Sequence, residues 1–449
     1  MMAEVEMQPE TRANIFWHLV EESLDEAEFL WTRWETFLDS PALSLAKVDF
    51  WVEQRLRGAL DGVRVAGDAA IEPLLEPALA SDTPGRIAAA AYVLASLATP
   101  RALTLLTRAI ESFAGPSLDA VRRGAERCDN ARVLPSLVPL LRTGSSQAQA
   151  AVLDIHVARG VDAGAAGVTA LLASADPLVR AAALRAARFC PSISTEQLAF
   201  ALDAAEPEVA VAAIETSLWR GSADAWEVCL RSLTPSAAAV PYRSLAPVLA
   251  MSGSARAERR LYQLLDCEPL QRDLAFALSY SGRVEAAEAC LTLMRAKHVV
   301  KLAADAFCFI TGLDLGAMGL VAPEPEPPTA PDSDEDDLDA NLVPSLDDAL
   351  PMPRVEEVAD WWRQHKPKLE PNARYVRGQF CDSRALRQTL AEGPARHRHE
   401  LARELALRSR GTYRVATRAL AHEQRRQLAH AAMLEPQSLT RIADWAPLL

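Results

Sequence analysis

Apolar and polar residues follow a helical period along most of this chain, and the helical stretches recur. Between Leu79 and Ile214 one pattern occurs five times, about thirty residues apart. Each copy ends a helix with apolar residues, turns through a small residue or proline, and then starts an Ala-rich amphipathic helix. The turn residues are Pro84, Pro116, Ser146, Pro177 and Pro207. The clearest pair sets Asp176-Pro177-Leu178-Val179-Arg180-Ala181-Ala182-Ala183-Leu184 against Glu206-Pro207-Glu208-Val209-Ala210-Val211-Ala212-Ala213-Ile214. Proline suits the first helical position, where no N–H is needed and its fixed φ already fits. A repeat of this period predicts stacked helical pairs, none able to bury both its faces alone. Val179, Ala182, Ala183 and Leu184 should face inward.

The flanks extend this reading. Residues 13–38 predict a helix with Phe16, Leu19, Ala27, Leu30, Trp31, Trp34 and Phe37 on one side. Ser40-Pro41 closes it and opens a second helix over about 42–60, ended by Asp61-Gly62. From about 68 to 316 the pattern predicts seven to nine helical pairs. The later ones turn at Pro235, Pro269 and His298, with helices near 236–251, 270–280 and 299–310. Five prolines, at 323, 325, 327, 328 and 331, and the charge run Asp332 to Asp339 then break the pattern, which predicts a disordered, extended linker. Helix returns over 355–364, 383–391, 396–408 and 415–433. The expected organisation is an N-terminal helical region over 1–67, a repeat stack over 68–320, an acidic Pro-rich linker over 321–353 and an Arg-rich helical domain over 354–449. The expected fold class is all-α: an α-solenoid of helical repeats with a small helical C-terminal domain. Alternation of β-branched residues is hard to find, so strands are not expected.

Half of the 449 residues are hydrophobic but only 6% are aromatic, a balance that suits helices packed closely through Ala and Leu. The net charge of −13 is unevenly placed: residues 321–350 carry ten acids and no base, whereas 351–449 carry 18 bases and 11 acids. An acidic chain with a basic tail domain can fold back on itself or present that face to an acidic partner. The seven cysteines form no Cys-x-x-Cys, and most fall among apolar helix residues. They read as buried reduced thiols, which fits a cytoplasmic location. Met1-Met2-Ala3-Glu4-Val5-Glu6 lacks an apolar signal core, and no run of about eighteen apolar residues predicts a membrane span.

The chemical motifs are incomplete. His399-Glu400 and His422-Glu423 lack the second His of a zinc helix, with Arg403 and Arg426 at that place. Asp332 to Asp336 resembles half a calcium loop, but Asp337 stands where Gly is needed and Val343 where a bidentate Glu is needed. No phosphate-cradling loop, nucleophile elbow or dinucleotide fingerprint occurs. No catalytic, metal-binding or cofactor-binding residue is therefore expected, and the chain reads as a non-enzyme. The candidate binding residues are Trp361, Trp362, Arg374, Tyr375 and Arg377, followed by Arg at 384, 387, 396, 398, 403, 408, 410, 414, 418, 425 and 426. Arginines interleaved with aromatics can contact phosphates and stack bases. The same residues also read as core anchors, Trp361 and Tyr375, with arginine faces that are solvated or meet the acidic linker. Lysine is almost absent here, and an excess of seven positive charges is modest for a nucleic-acid binder.

The Asp/Glu-Pro-x-Val-x-x-Ala-Ala core at Asp176–Ala183 and Glu206–Ala213 resembles HEAT repeats of the phycobilisome-lyase type. Leu45-Ala46-Lys47-Val48-Asp49 through Leu60-Asp61-Gly62-Val63-Arg64-Val65-Ala66-Gly67 is similar to the N-terminal signature of an uncharacterised proteobacterial HEAT-repeat family. Trp361-Trp362 to Tyr375-x-x-Gly378-Gln379 and the Arg-rich helices after it look like that family's C-terminal region, and the acidic insert looks like a departure from it. The resemblance implies a non-enzymatic scaffold or adaptor that binds a protein partner, in a family whose members are sometimes linked with type VI secretion. It carries over no catalytic residue. Nucleic-acid binding through residues 354–449, and a lyase or DNA glycosylase assembled across several repeats, are the alternatives.

Overall fold

A computed structural model of the chain describes residues 15–323 and 345–433. The described residues are mostly helical, with a single two-stranded ribbon. Compactness divides the chain into two units: Met1–Arg33 with Gln54–Ser136, and Trp34–Glu53 with Leu137–Leu449. This division differs from the four consecutive segments read along the sequence.

The first unit holds most of α1 (Trp17–Phe37), α2 (Gln54–Arg64), α3 (Pro84–Leu97), α4 (Pro100–Ser112) and α5 (Gly115–Arg127). Ala88, Ala89, Ala90 and Ala91 of α3 are fully buried, and α3 packs on α5. Side chains this small let helix axes approach to the short end of the usual ~8–10 Å. Arg86 on α3 reaches Asp25 and Glu28 of α1 at 2.6 and 3.0 Å.

The second unit is also mostly helical. Its helices include α6 (Ser146–Arg159), α7 (Ala165–Leu172), α8 (Pro177–Ala186), α9 (Thr195–Ala199), α10 (Pro207–Trp219), α11 (Ala223–Ser232), α12 (Ala246–Met251), α13 (Ala255–Gln263), α14 (Glu268–Leu278), α15 (Val284–Leu293) and α16 (Val300–Thr311). Contact runs between alternate helices: α6 on α8, α8 on α10, α12 on α14 and α14 on α16. Val179, Ala182, Ala183 and Leu184 are all buried, as the pattern requires. Pro84, Ser146, Pro177 and Pro207 are each the first residue of a helix, and Pro116 is the second residue of one. Ser145 and Asp176 cap the N-termini of α6 and α8 by accepting from Ala148 and Leu178 N–H, which satisfies donors that a helix start leaves free.

Polar bonds stitch each pair to the next. Arg185 holds Asp154 through two bonds of 2.9 Å, and Arg256 holds Glu227 through two of 2.7 and 2.9 Å. Arg260 donates to Leu233 O and Arg283 to Gly253 O. The partners in these four links stand 27 to 31 residues apart in sequence, which is the repeat length.

The remaining elements are α17 (Val355–His365), the ribbon β1 (Tyr375–Val376) and β2 (Gln379–Phe380), α18 (Ser383–Glu392), α19 (Ala395–Arg408) and α20 (Ala421–Met433). They pack within the second unit. Trp362 and Tyr375 enter the apolar cluster of Leu302, Phe307 and Ile310. Glu53, fully buried, accepts from Trp34 Nε1 at 2.9 Å and from Ala421 N–H at 2.7 Å, so the chain near residue 50 meets the start of α20.

Several boundaries differ from expectation. The second helix starts at Leu45 and runs through a π turn at Asp49–Glu53 to Arg64, past Asp61-Gly62, because Leu56, Leu60 and Val63 keep one buried face to its end. Residues 237–245 form a 3-10 helix. The ribbon was not expected; it turns at Arg377 and Gly378, whose φ values of 51° and 75° match the left-handed pair of a tight hairpin. Residues 415–420 are not helical: Gln424 donates to the carbonyls of Thr417 and Ala419, and Ala416 N–H donates to Gln427. The linker prediction rests mainly on residues 324–344, which lie outside the described residues. At its ends, Val321 pairs with Pro353, Ala322 N–H donates to Met352 O at 2.8 Å, and Leu350 is buried.

Candidate functional site

Helix α19 carries most of the polar side chains that organise the second unit. Its sequence, Ala-Arg-His-Arg-His-Glu-Leu-Ala-Arg-Glu-Leu-Ala-Leu-Arg, sets charged residues around the whole helix circumference. Such a helix is stable in an interior only where each charge meets a partner.

Glu404 meets two. Arg374 Nη1 lies 2.7 Å from Glu404 Oε1, and Arg408 Nε lies 2.8 Å from the same oxygen. All three side chains are almost fully buried. Burial pushes the Glu404 carboxyl upward, but the two guanidinium groups outweigh it and hold its pKa below the ordinary value. Further donors go to main-chain carbonyls: Arg374 to Tyr280 O and Ser281 O at 2.7 and 3.0 Å, and Arg408 to Met251 O at 3.0 Å.

One residue before Glu404, Arg403 bonds Glu215 of α10 at 2.6 Å and Ser244 O at 2.9 Å. Arg188 reaches Glu215 from the other side at 2.6 Å. At the start of α19, His397 bridges Tyr280 Oη and Asp305 Oδ2, each at 3.1 Å, with its ring stacked on Phe309 at 4.0 Å between centroids. His399 lies 3.1 Å from Asp39, which also binds Arg418 at 2.6 Å. Burial raises the Asp39 pKa, but hydrogen bonds from His399 and Arg418 outweigh this and bring it down to about 2.

Between α19, α14 and the segment 240–247 opens a cleft of about 880 Å³. Arg243, Arg272, Arg396 and Arg418 line it, opposed by Asp39, Asp273, Asp347 and Glu400, and Phe276 and Leu302 contribute apolar wall. Arg272 and Arg396 both bind Asp347, the latter at 2.9 Å. Burial keeps the Asp273 pKa above its ordinary value despite Arg243 at 3.4 Å. Among the described residues, no group of three or more His, Cys, Asp or Glu is placed to hold a metal ion. No described helix is long and apolar enough to cross a membrane.

The five candidate binding residues do not converge on one surface. Trp362 is buried against Phe307, at 5.4 Å between centroids, and half-buried Trp361 stacks on His365 at 4.0 Å. Arg374 is the buried partner of Glu404. Tyr375 is buried, with its hydroxyl accepting from Glu370 N–H at 2.8 Å. Arg377 alone is exposed, at the ribbon turn. The residues that line the cleft were missed in part. Arg396 and Arg418 belong to the arginine series noted in the sequence, but Arg243, Arg272 and Asp39 carried no local signal. Asp347 reads in sequence as one more linker charge.

No family model matches this chain, and no curated protein is similar to it. Among solved structures it is similar to a crystal structure of an engineered protein, at 19% identity over 67% of this chain and 90% of that one, with a TM-score of 0.28.

Proposed function

We propose that this chain is a non-enzymatic scaffold, a HEAT-like α-solenoid that binds a protein partner in the arginine-lined cleft beside α19. The observation that carries the reading is the recurrence of polar links one repeat length apart, together with contact between alternate helices. Together they support a stack in which each pair leans on the next. Such stacks offer long surfaces on which a few aromatic or arginine anchors supply most of the affinity.

The cleft favours a protein ligand over a phosphate backbone. Its four arginines are opposed by four carboxylates, so it has no surplus of positive charge for phosphates. Arg374, Arg403, Arg408 and Arg414 direct donors at carbonyls of this chain. The family resemblance points the search for the partner toward secretion-system components. Crosslinking in the native host followed by affinity capture tests the reading. The expected result is one protein enriched by the wild-type chain and lost with Arg272→Glu; the same proteins captured by both chains would overturn it.

A further inference from the structure

A short segment of the chain itself stands in the cleft. Residues 345–350, Ser-Leu-Asp-Asp-Ala-Leu, form a compact turn at its rim. Ser345 N–H donates to Asp348 Oδ2 at 2.8 Å, and Asp348 and Leu350 N–H donate to Ser345 O and Asp347 O. The turn is held at three points. Asp347 binds Arg272 and Arg396, Lys301 Nζ donates to Asp348 O at 2.7 Å, and the Leu350 side chain enters the apolar cluster of α14–α16. Ser345, Leu346 and Asp347 are themselves part of the cleft wall.

The attachment of this turn is local. Val321 and Pro353 pair across the base of the excursion, and Arg354 N–H donates to Leu320 O at 2.8 Å. Chain entering and leaving is therefore fastened below the turn, independently of whether Asp347 sits on its arginines. Without Asp347, Arg272 has no other carboxylate partner among the described residues, and Arg396 keeps Asp305 at 3.9 Å, its Nη1 making no hydrogen bond among them. Two guanidinium groups would then face an open cleft of about 880 Å³ with Phe276 and Leu302 beside them.

Resting on the protein-binding reading above, we propose that the cleft recognises an acidic peptide segment of its partner, with aspartate beside leucine, and that residues 345–350 are a built-in competitor occupying the same arginines. The partner's carboxylates take the place of Asp347 on Arg272 and Arg396, and its leucine lies against Phe276 and Leu302. Each charge-assisted bond formed replaces one broken, so the exchange needs little net energy and is decided by the concentration of the incoming segment.

The test uses the full chain and a fluorescein-labelled Ser-Leu-Asp-Asp-Ala-Leu peptide followed by anisotropy, with folding checked by circular dichroism. Asp347→Ala should bind the peptide at least tenfold more tightly than wild type. Adding Arg272→Glu should abolish the gain, and a peptide with Asn for both Asp should not bind. Equal affinity of wild type and Asp347→Ala would overturn the competitor, while leaving the scaffold reading to its own capture experiment. Binding of a single-stranded oligonucleotide of matched charge as tightly as the peptide would overturn the choice of ligand. Should Asp347→Ala fail to fold, hydrogen exchange on the wild-type chain with millimolar peptide decides the matter. Loss of protection over 345–350 supports displacement; unchanged protection overturns it.

Discussion

Glu404 lies buried between Arg374 and Arg408, and each of these arginines also ends on a main-chain carbonyl of the repeats. Removing the one negative charge takes from both buried guanidinium groups the carboxylate that they share. Glu404→Gln is therefore expected to destabilise the second unit by about 3–5 kcal/mol, as read by urea unfolding. Asp39 behaves differently because it is partly exposed. Its folded pKa of about 2 lies below the ordinary 3.8, so the stability it adds is present above pH ~4 and is lost as pH falls toward 2. Solvent screening keeps this contribution near 1 kcal/mol. Asp39→Asn should remove that part of the acid dependence, measured as melting temperature between pH 5 and 2. Burial pushes the Cys229 thiol up to about 12 and that of Cys290 higher still. Both should resist iodoacetamide at pH 8 in the folded chain and react once it is unfolded, as mapped by mass spectrometry. At this scale the sequence showed residue types but not partners. Arg374 stands 30 residues from Glu404 and 94 from Tyr280, and no local pattern links such positions.

Elements were more legible. Proline and serine turn positions marked the helix starts because capping and fixed φ act within one turn of chain. Elements shaped by distant contacts were not legible. The loop at 415–420 has helix-forming composition, yet side chains of α20 bind its backbone groups. The ribbon shows only one short-range sign, Gly378 at the turn. A link between elements can be probed at Gly160, the left-handed cap of α6 with φ 61°. The Arg414 guanidinium occupies the space where a Cβ would stand, and donates to Gly160 O at 3.0 Å. Gly160→Ala must expel Arg414 as well as strain the cap. The expected loss is about 2–3 kcal/mol in chemical denaturation, of which the backbone alone accounts for about 1–2. Adding Arg414→Ala should recover part of it, since the clash is then gone.

At the scale of the molecule, sequence reading placed the Arg-rich residues 354–449 in a domain of their own, and equally noted that an acidic chain with a basic tail can fold back on itself. In the second unit, arginines of α19 and its flanks end on Gly160, Glu215, Ser244 and Met251. The segment over 374–418 is thus part of the second unit, and the cleft exists because α19 stands beside α14. Native-state hydrogen exchange read by mass spectrometry tests this most directly. The amides of α19 and of α10 are expected to open with the same free energy and the same dependence on urea, as parts of one cooperative body. Exchange of α19 at markedly lower urea, with α10 still protected, would contradict it.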